Sequence, residues 1–210
     1  MKAVMLSIQP KWTELIASGK KTVEVRKTKP KSETPFKCYI YCTKGKDLLT
    51  SVNGKVQKPN NTVIDLSRDS TISVLNGSVI GEFVCDRITE YECSSDGFGE
   101  LATTCGTCLT YDEILNYCNG NDLYGWHISN LVIYYEPKEL SEFVRPCNHE
   151  NDCFTCDRYD YIGHKCYNKI TRPPQSYMFV EELLQPLSEP KGKTIQFKKW
   201  TYDEHKGETE

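Results

Sequence analysis

The sequence predicts an α+β fold, a mixed and mostly antiparallel β-barrel with a few flanking helices and a zinc-stabilised loop. Three observations lead there. Six or seven segments have the patterning of strands, against two clear helical stretches. Several strands are joined by turns, including two Asn-Gly dipeptides, rather than by crossover helices. A polar stretch too poor in apolar residues to build a core carries four cysteines at zinc-binding spacing. No glycine-rich phosphate loop follows a strand, which argues against P-loop and Rossmann folds.

Each element has its own signal. Ala3 to Ile8 is an apolar run of strand length. Pro10 suits the first turn of a helix, where its missing N–H needs no partner. Trp12, Leu15 and Ile16 then form one apolar stripe, and Gly19 is placed to end the helix. Lys21 to Lys27 alternates as a strand, Thr28 to Pro35 is a lysine- and proline-rich loop, and Lys37 to Thr43 is a strand. Residues 44–76 are polar and turn-rich. There LTSV-NG-KVQ and ISVL-NG-SVIG each read as a hairpin, since Asn-Gly accepts the two positive φ values of a type I′ turn. Val79 to Tyr91 is a long strand, bent near Cys85 and Asp86. Thr110 caps a helix through Tyr117, with Glu113 as its capping-box partner and Gly120 at the stop. Leu131 to Tyr135 and Gln175 to Leu184 are strands, and the tail from about Lys198 is polar and frayed.

The 210 residues fit one large domain or one domain with an appendage. No apolar run approaches the roughly 20 residues that span a bilayer, and Ala3 to Ile8 is too short for a secretory core, so a cytoplasmic protein is expected. Eleven cysteines, an odd count in a chain of this size, read as reduced thiols rather than a disulfide framework. Cys38 and Cys42 are expected to be small buried hydrophobes. The net charge of −3 is unevenly spread: residues 1–46 carry ten lysines and Arg26 against three glutamates, a net +8, leaving −11 for the rest. Such a basic end attracts phosphate-bearing ligands, although lysine runs are also ordinary solvated surface.

The functional signal is the corner IASGKKTVEVR. Lys20, Lys21, Thr22, Glu24 and Arg26 bring cations, a hydroxyl and a carboxylate to one helix-to-strand junction. Lys21 can act as a fixed cation for phosphate or carbonyl oxygen, or as a base if burial lowers its pKa. Glu24 can accept from an amide edge, and Arg26 offers a planar fork. The competing reading is a solvated ion-pair ladder. Regular strand geometry opposes a shared pocket, because Lys21 then points away from Glu24 and Arg26. Downstream, Trp126 and His127 can stack and hydrogen-bond a base, or simply pack the core edge. Arg172 or Gln175 can reach the pocket mouth.

Gly19-x-Lys21-x-x-Glu24-x-Arg26, preceded by Gln9-Pro10 and an apolar helix, resembles the ASCH family. The resemblance is good over about residues 5–27, and the strand order fits to about residue 135. YGWHISNL, ELSEF, the cysteine cluster and RPPQS resemble a longer, zinc-decorated ASCH type of bacterial and phage genomes. The resemblance implies a PUA-like β-barrel over residues 1–145, with an insertion at about 44–76. Residues 146–170 then form the zinc-binding loop, 171–187 return the last strand to the barrel, and 188–210 are a C-terminal extension. It also implies RNA or modified-nucleoside handling. Some small ASCH proteins remove the acyl group from N4-acetylcytidine, which implies a lysine, a threonine nucleophile three residues later and a distant glutamate. Lys21 matches the lysine, but Glu24 stands in the threonine's place. No glutamate is convincingly placed before the Thr110 helix, and Thr107 falls near that position.

Cys147, Cys153, Cys156 and Cys166 form a central C-x2-C with two flanking thiols, a set that completes a zinc tetrahedron, with His149 and His164 in reserve. Four thiolates leave no open position, so the expected zinc is structural. Three functions follow for testing. The first is a module that binds RNA or a nucleotide-like ligand at Lys21, Glu24 and Arg26. The second is an amidohydrolase acting on acylated nucleosides, with Lys21 and Glu24 as catalytic candidates. The third is an interaction module whose zinc loop takes a protein partner.

Overall fold

The computed structural model describes residues 2–60, 70–103, 106–146 and 168–183, and describes residues 159–160, 165–166 and 193–194 as backbone only. Strand β1 (Lys2–Ile8) is buried on both faces, as its unbroken apolar run requires. Val4, Leu6 and Ile8 enter the main core, and Ala3 and Met5 enter a second one. Helix α1 (Pro10–Ala17) starts on Pro10, and Gly19 takes a left-handed φ of 78° just past its end. Then come β2 (Val23–Arg26) and β3 (Phe36–Cys42). β3 pairs parallel with β1, and every other strand pairing is antiparallel among the described residues. Cys38 and Cys42 are buried in the main core, and burial pushes the Cys42 thiol up to about 11. Both are inert packing groups, as expected.

Residues 44–76 leave the main sheet and make one of their own, ordered β5 (Lys55–Val56), β4 (Thr50–Val52), β6 (Ile72–Val74). The first Asn-Gly is a hairpin turn, with φ of 49° at Asn53 and 72° at Gly54. The second is not. β6 pairs with β4, whereas the following β7 (Val79–Tyr91) joins the main sheet. The reason is local. Asn76 accepts from Leu49 N at 2.7 Å and donates to Asp47 O at 2.9 Å, so the dipeptide anchors the insertion instead of folding its own flanks together.

β7 shifts register between Cys85 and Ile88, the expected bend. Helix α2 (Ser95–Thr103) has no counterpart in the expectations, because Gly97 and Gly99 weaken its helical signal. Helix α3 (Tyr111–Cys118) forms as expected, with the Thr110–Glu113 capping box. β8 (Leu123–Lys138) begins eight residues earlier than the sequence suggests. Helices α2 and α3 pack on Val25, Tyr91 and Leu123 in a third core. The remaining strands are β9 (Tyr159–Asp160), β10 (Lys165–Cys166), β11 (Tyr177–Glu181) and β12 (Lys193–Thr194).

The main sheet runs β11-β1-β3-β7-β8, with β2 and β12 both pairing to β8. Its ladder does not close among the described residues, so the expected barrel is an open sheet at the level of backbone hydrogen bonds. What faces the gap is a side chain: Arg26 of β2 bonds Ser7 O on β1 at 2.8 Å and Ser176 O beside β11 at 3.4 Å. Cys147, Cys153 and Cys156 lie outside the described residues, and Cys166 is described only as β10 backbone opposite Tyr159. No helix of the described residues is long and apolar enough to cross a membrane.

Candidate ligand-binding cleft

The corner after α1 resolves the parity problem. Lys21 precedes β2 rather than belonging to it, and its N–H donates to Leu15 O at 2.9 Å. The next two amides, Thr22 and Val23, both donate to Gly106 O, at 2.8 and 3.0 Å. Lys21 is thereby turned to the same side as Glu24 and Arg26, which share a β2 face by their two-residue spacing. Gly106 has a φ of 95°, and a Cβ there would collide with Thr22 Oγ1. Glycine is required at this close approach.

The three charged side chains are buried, Lys21 at 2% exposure, Glu24 at 6% and Arg26 at 7%. Lys21 Nζ donates to Thr107 O at 2.6 Å and lies 3.6 Å from Glu24 Oε2. Arg26 Nη2 lies 3.1 Å from Glu24 Oε1. One carboxylate thus faces two cations. Burial lowers the Lys21 pKa from 10.5, and Arg26 pushes the same way, while Glu24 and Cys108 oppose. Arg26 Nε and Trp126 Nε1 are buried donors with no hydrogen-bond partner among the described residues.

This cluster floors a cleft of about 640 Å³. Ser7, Ile8, Gln9 and Trp12 line one side, and Glu113, Asn116 and Tyr117 of α3 another. Gln175 and Ser176 contribute from the approach to β11. Lys11 of α1 and Glu113 of α3 meet at the rim, 2.8 Å apart. Trp12 is flanked by two cations, with Lys11 Nζ 4.2 Å and Lys21 Nζ 5.1 Å from its ring centroid.

Lys21, Glu24 and Arg26 are therefore brought together, and Gln175 joins them. The other sequence-derived candidates are not. Lys20 is exposed, and neither it nor Thr22 lines the cleft. Trp126 is fully buried, edge-on to Phe36 at 5.7 Å, with no face open to a base. His127 does not line this cleft: its Nε2 lies 2.8 Å from Arg87 Nη2 and its Nδ1 faces Asp86 Oδ1 at 3.2 Å. A guanidinium only donates, so Nε2 is the acceptor and Nδ1 carries the proton. Trp12 and Tyr117 are the cleft aromatics the sequence did not single out. Trp12 was legible only as helix stripe, and Tyr117 only as the end of a capped helix.

Fold and cleft together describe an α+β domain with a polar cleft floored by two cations and a carboxylate. Residues 6–96 match the family model of the ASCH domain. That span holds the whole Lys21–Arg26 corner and excludes Trp126, His127 and the cysteine cluster. Among solved structures, the crystal structure of ASCH from Zymomonas mobilis is 18% identical. The alignment covers 86% of this chain and 88% of that one, with a TM-score of 0.46. A mutant of the same Zymomonas mobilis protein aligns over 86% and 89% at 16% identity and a TM-score of 0.49. No curated protein matches this chain.

Proposed function

We propose that this chain is an RNA- or nucleotide-binding ASCH-type module that holds a small polar or modified-nucleoside group in the Lys21–Glu24–Arg26 cleft. The observation that carries the reading is the buried charge cluster itself. Two cations and a carboxylate are held out of water at the floor of an open cleft, with the Arg26 Nε donor unpartnered. Burying such a cluster costs desolvation even when its groups are paired, and a ligand at the cleft floor is a reason to keep it. The ASCH domain is a family thought to bind RNA, and its match covers every one of these three residues.

The roles divide by geometry. Lys21, held by Thr107 O and a long contact to Glu24, is the cation for a phosphate or carbonyl oxygen. Glu24 orients both cations and accepts from an amide edge. Arg26 turns Nη1 and Nη2 to backbone carbonyls and Glu24, and its Nε has no partner among the described residues. Trp12 and Tyr117 take the stacking role that Trp126 cannot fill.

The amidohydrolase reading has one point in its favour, the lowered pKa of Lys21, which suits a base. Against it, Glu24 stands where the nucleophile is implied and is ion-paired to both cations. The substitute hydroxyl, Thr22, lies outside the cleft lining. The test titrates labelled RNA and mononucleosides at two salt concentrations, with N4-acetylcytidine hydrolysis assayed in parallel. Expected are salt-sensitive binding, weakened in Lys21→Ala, and little or no turnover. Robust turnover lost in both Lys21→Ala and Glu24→Ala would instead establish the hydrolase.

A further inference from the structure

A second cleft lies at the far end of the β1–β11 pair. It measures about 470 Å³ and is lined by Lys2, Lys31, Ser32 and Arg145 together with Pro146, Met178 and Phe179. Three cations and no carboxylate line it. Lys2, Lys31 and Arg145 are exposed, and none has an ion pair among the described residues. Glu181 stands opposite Lys2 in the β1–β11 register but outside the lining, so the concavity keeps a net positive charge, which attracts a polyanion. The half-buried ring of Phe179 adds a flat apolar face beside them.

The two clefts are joined along the same elements. β1 places Ser7 and Ile8 in the first and Lys2 in the second. Ser7 and Lys2 are five residues apart on β1, about 17 Å at the rise of a strand. The β2–β3 loop runs the same course. It leaves the first cleft at Arg26, and Lys27 Nζ sits 5.1 Å from the ring centroid of Tyr117. Tyr177 Oη donates to Lys29 O at 3.2 Å, which ties the loop to β11. The loop reaches the second cleft at Lys31 and Ser32.

Resting on the first cleft as the site of a nucleotide group, we infer that Lys2, Lys31 and Arg145 form a second subsite for the phosphodiester backbone of a single-stranded nucleic acid. One nucleotide does not span both clefts, so the ligand is an oligomer. Both clefts present aromatic rings, which suits unpaired bases more than the side chains of an acidic peptide. Cations for the backbone and rings for the bases are the two parts that single-strand binding needs.

The experiment compares wild type, Lys31→Ala/Arg145→Ala and Lys21→Ala, each checked for an unchanged melting transition. Probes are a mononucleotide, an eight-nucleotide RNA, the DNA of the same sequence and an acidic peptide of equal charge. Expected is tighter binding of the oligomer than of the mononucleotide by wild type. The double variant should lose roughly tenfold or more for the oligomer and nothing for the mononucleotide. Its salt slope should be shallower by about 1.4, two released phosphate contacts at ~0.7 each. Oligomer affinity equal in wild type and double variant overturns the second subsite. So does an acidic peptide binding as tightly as RNA and DNA. If instead Lys21→Ala leaves every probe unaffected while the double variant still loses the oligomer, the reading of the first cleft fails and the basic subsite stands.

Discussion

Lys21 and Arg26 are both buried cations on one carboxylate, yet they have different duties. Arg26 spends its fork on two backbone carbonyls, whereas Lys21 has one carbonyl and a long 3.6 Å contact to Glu24. Lys21→Ala should therefore weaken ligand binding more than it weakens the fold, as paired titration and denaturation measurements would report. Because burial lowers the Lys21 pKa below 10.5, its ammonium is lost at lower pH than that of an ordinary lysine. Binding of an anionic mononucleotide should then fall as pH rises through that lowered value, before surface lysines discharge. Stability has the opposite sign: the unfolded chain holds this proton more tightly, so folding gains from Lys21 as pH rises towards 10.5. Wild type and Lys21→Met compared across alkaline pH should diverge in binding, and parallel curves would remove Lys21 from the role. The triad was legible in the sequence by residue type and resemblance, while its convergence was not. That depended on Lys21 leaving the strand, which the carbonyl of distant Gly106 makes possible. Trp126 misled because a tryptophan beside a histidine looks the same whether it packs or stacks. Only its place between Phe36 and Tyr177 decides.

At the scale of elements, local signals worked where the chain satisfied itself locally. The Thr110 capping box and the Asn53-Gly54 turn needed no distant partner, and both formed as read. The second Asn-Gly failed because Asn76 is bonded to residues some thirty positions upstream. Thr110→Ala should cost about 1 kcal/mol and also loosen the α3 wall of the cleft, lowering the melting temperature and ligand affinity together. Gly106→Ala should cost about 1–3 kcal/mol, because its left-handed φ and the approach of Thr22 leave no room for Cβ. The zinc loop remains a sequence-derived proposal. Elemental analysis of reduced, metal-replete protein is expected to find one zinc per chain, lost in Cys153→Ser or Cys156→Ser. Protein without zinc would refute the set.

Across the whole molecule, the cleft sits where the sheet stops. The ladder runs from β11 to β2 without a closing row of hydrogen bonds among the described residues, and the cleft is lined from both sides of that seam, by β1 and the approach to β11 on one and by β2 on the other. Arg26 is the tie across it, reaching Ser7 O and Ser176 O while holding Glu24. Neither local pattern nor composition could show this, because it joins three segments far apart in sequence. The consequence is testable with Arg26→Lys, which keeps the charge and loses the fork. A lysine cannot serve both carbonyls and the carboxylate in one plane, so at least one buried acceptor is left short, at a cost of about 1–3 kcal/mol. The loss should be confined to the seam. Hydrogen exchange is expected to quicken in β2 and β11, while amides at the β3–β7–β8 centre keep the protection set by global unfolding. A ligand bound across the cleft should restore part of the protection in wild type and variant alike, since it binds only the folded seam. Uniform acceleration over the whole sheet would show instead that Arg26 supports global stability without any special part in closing the site.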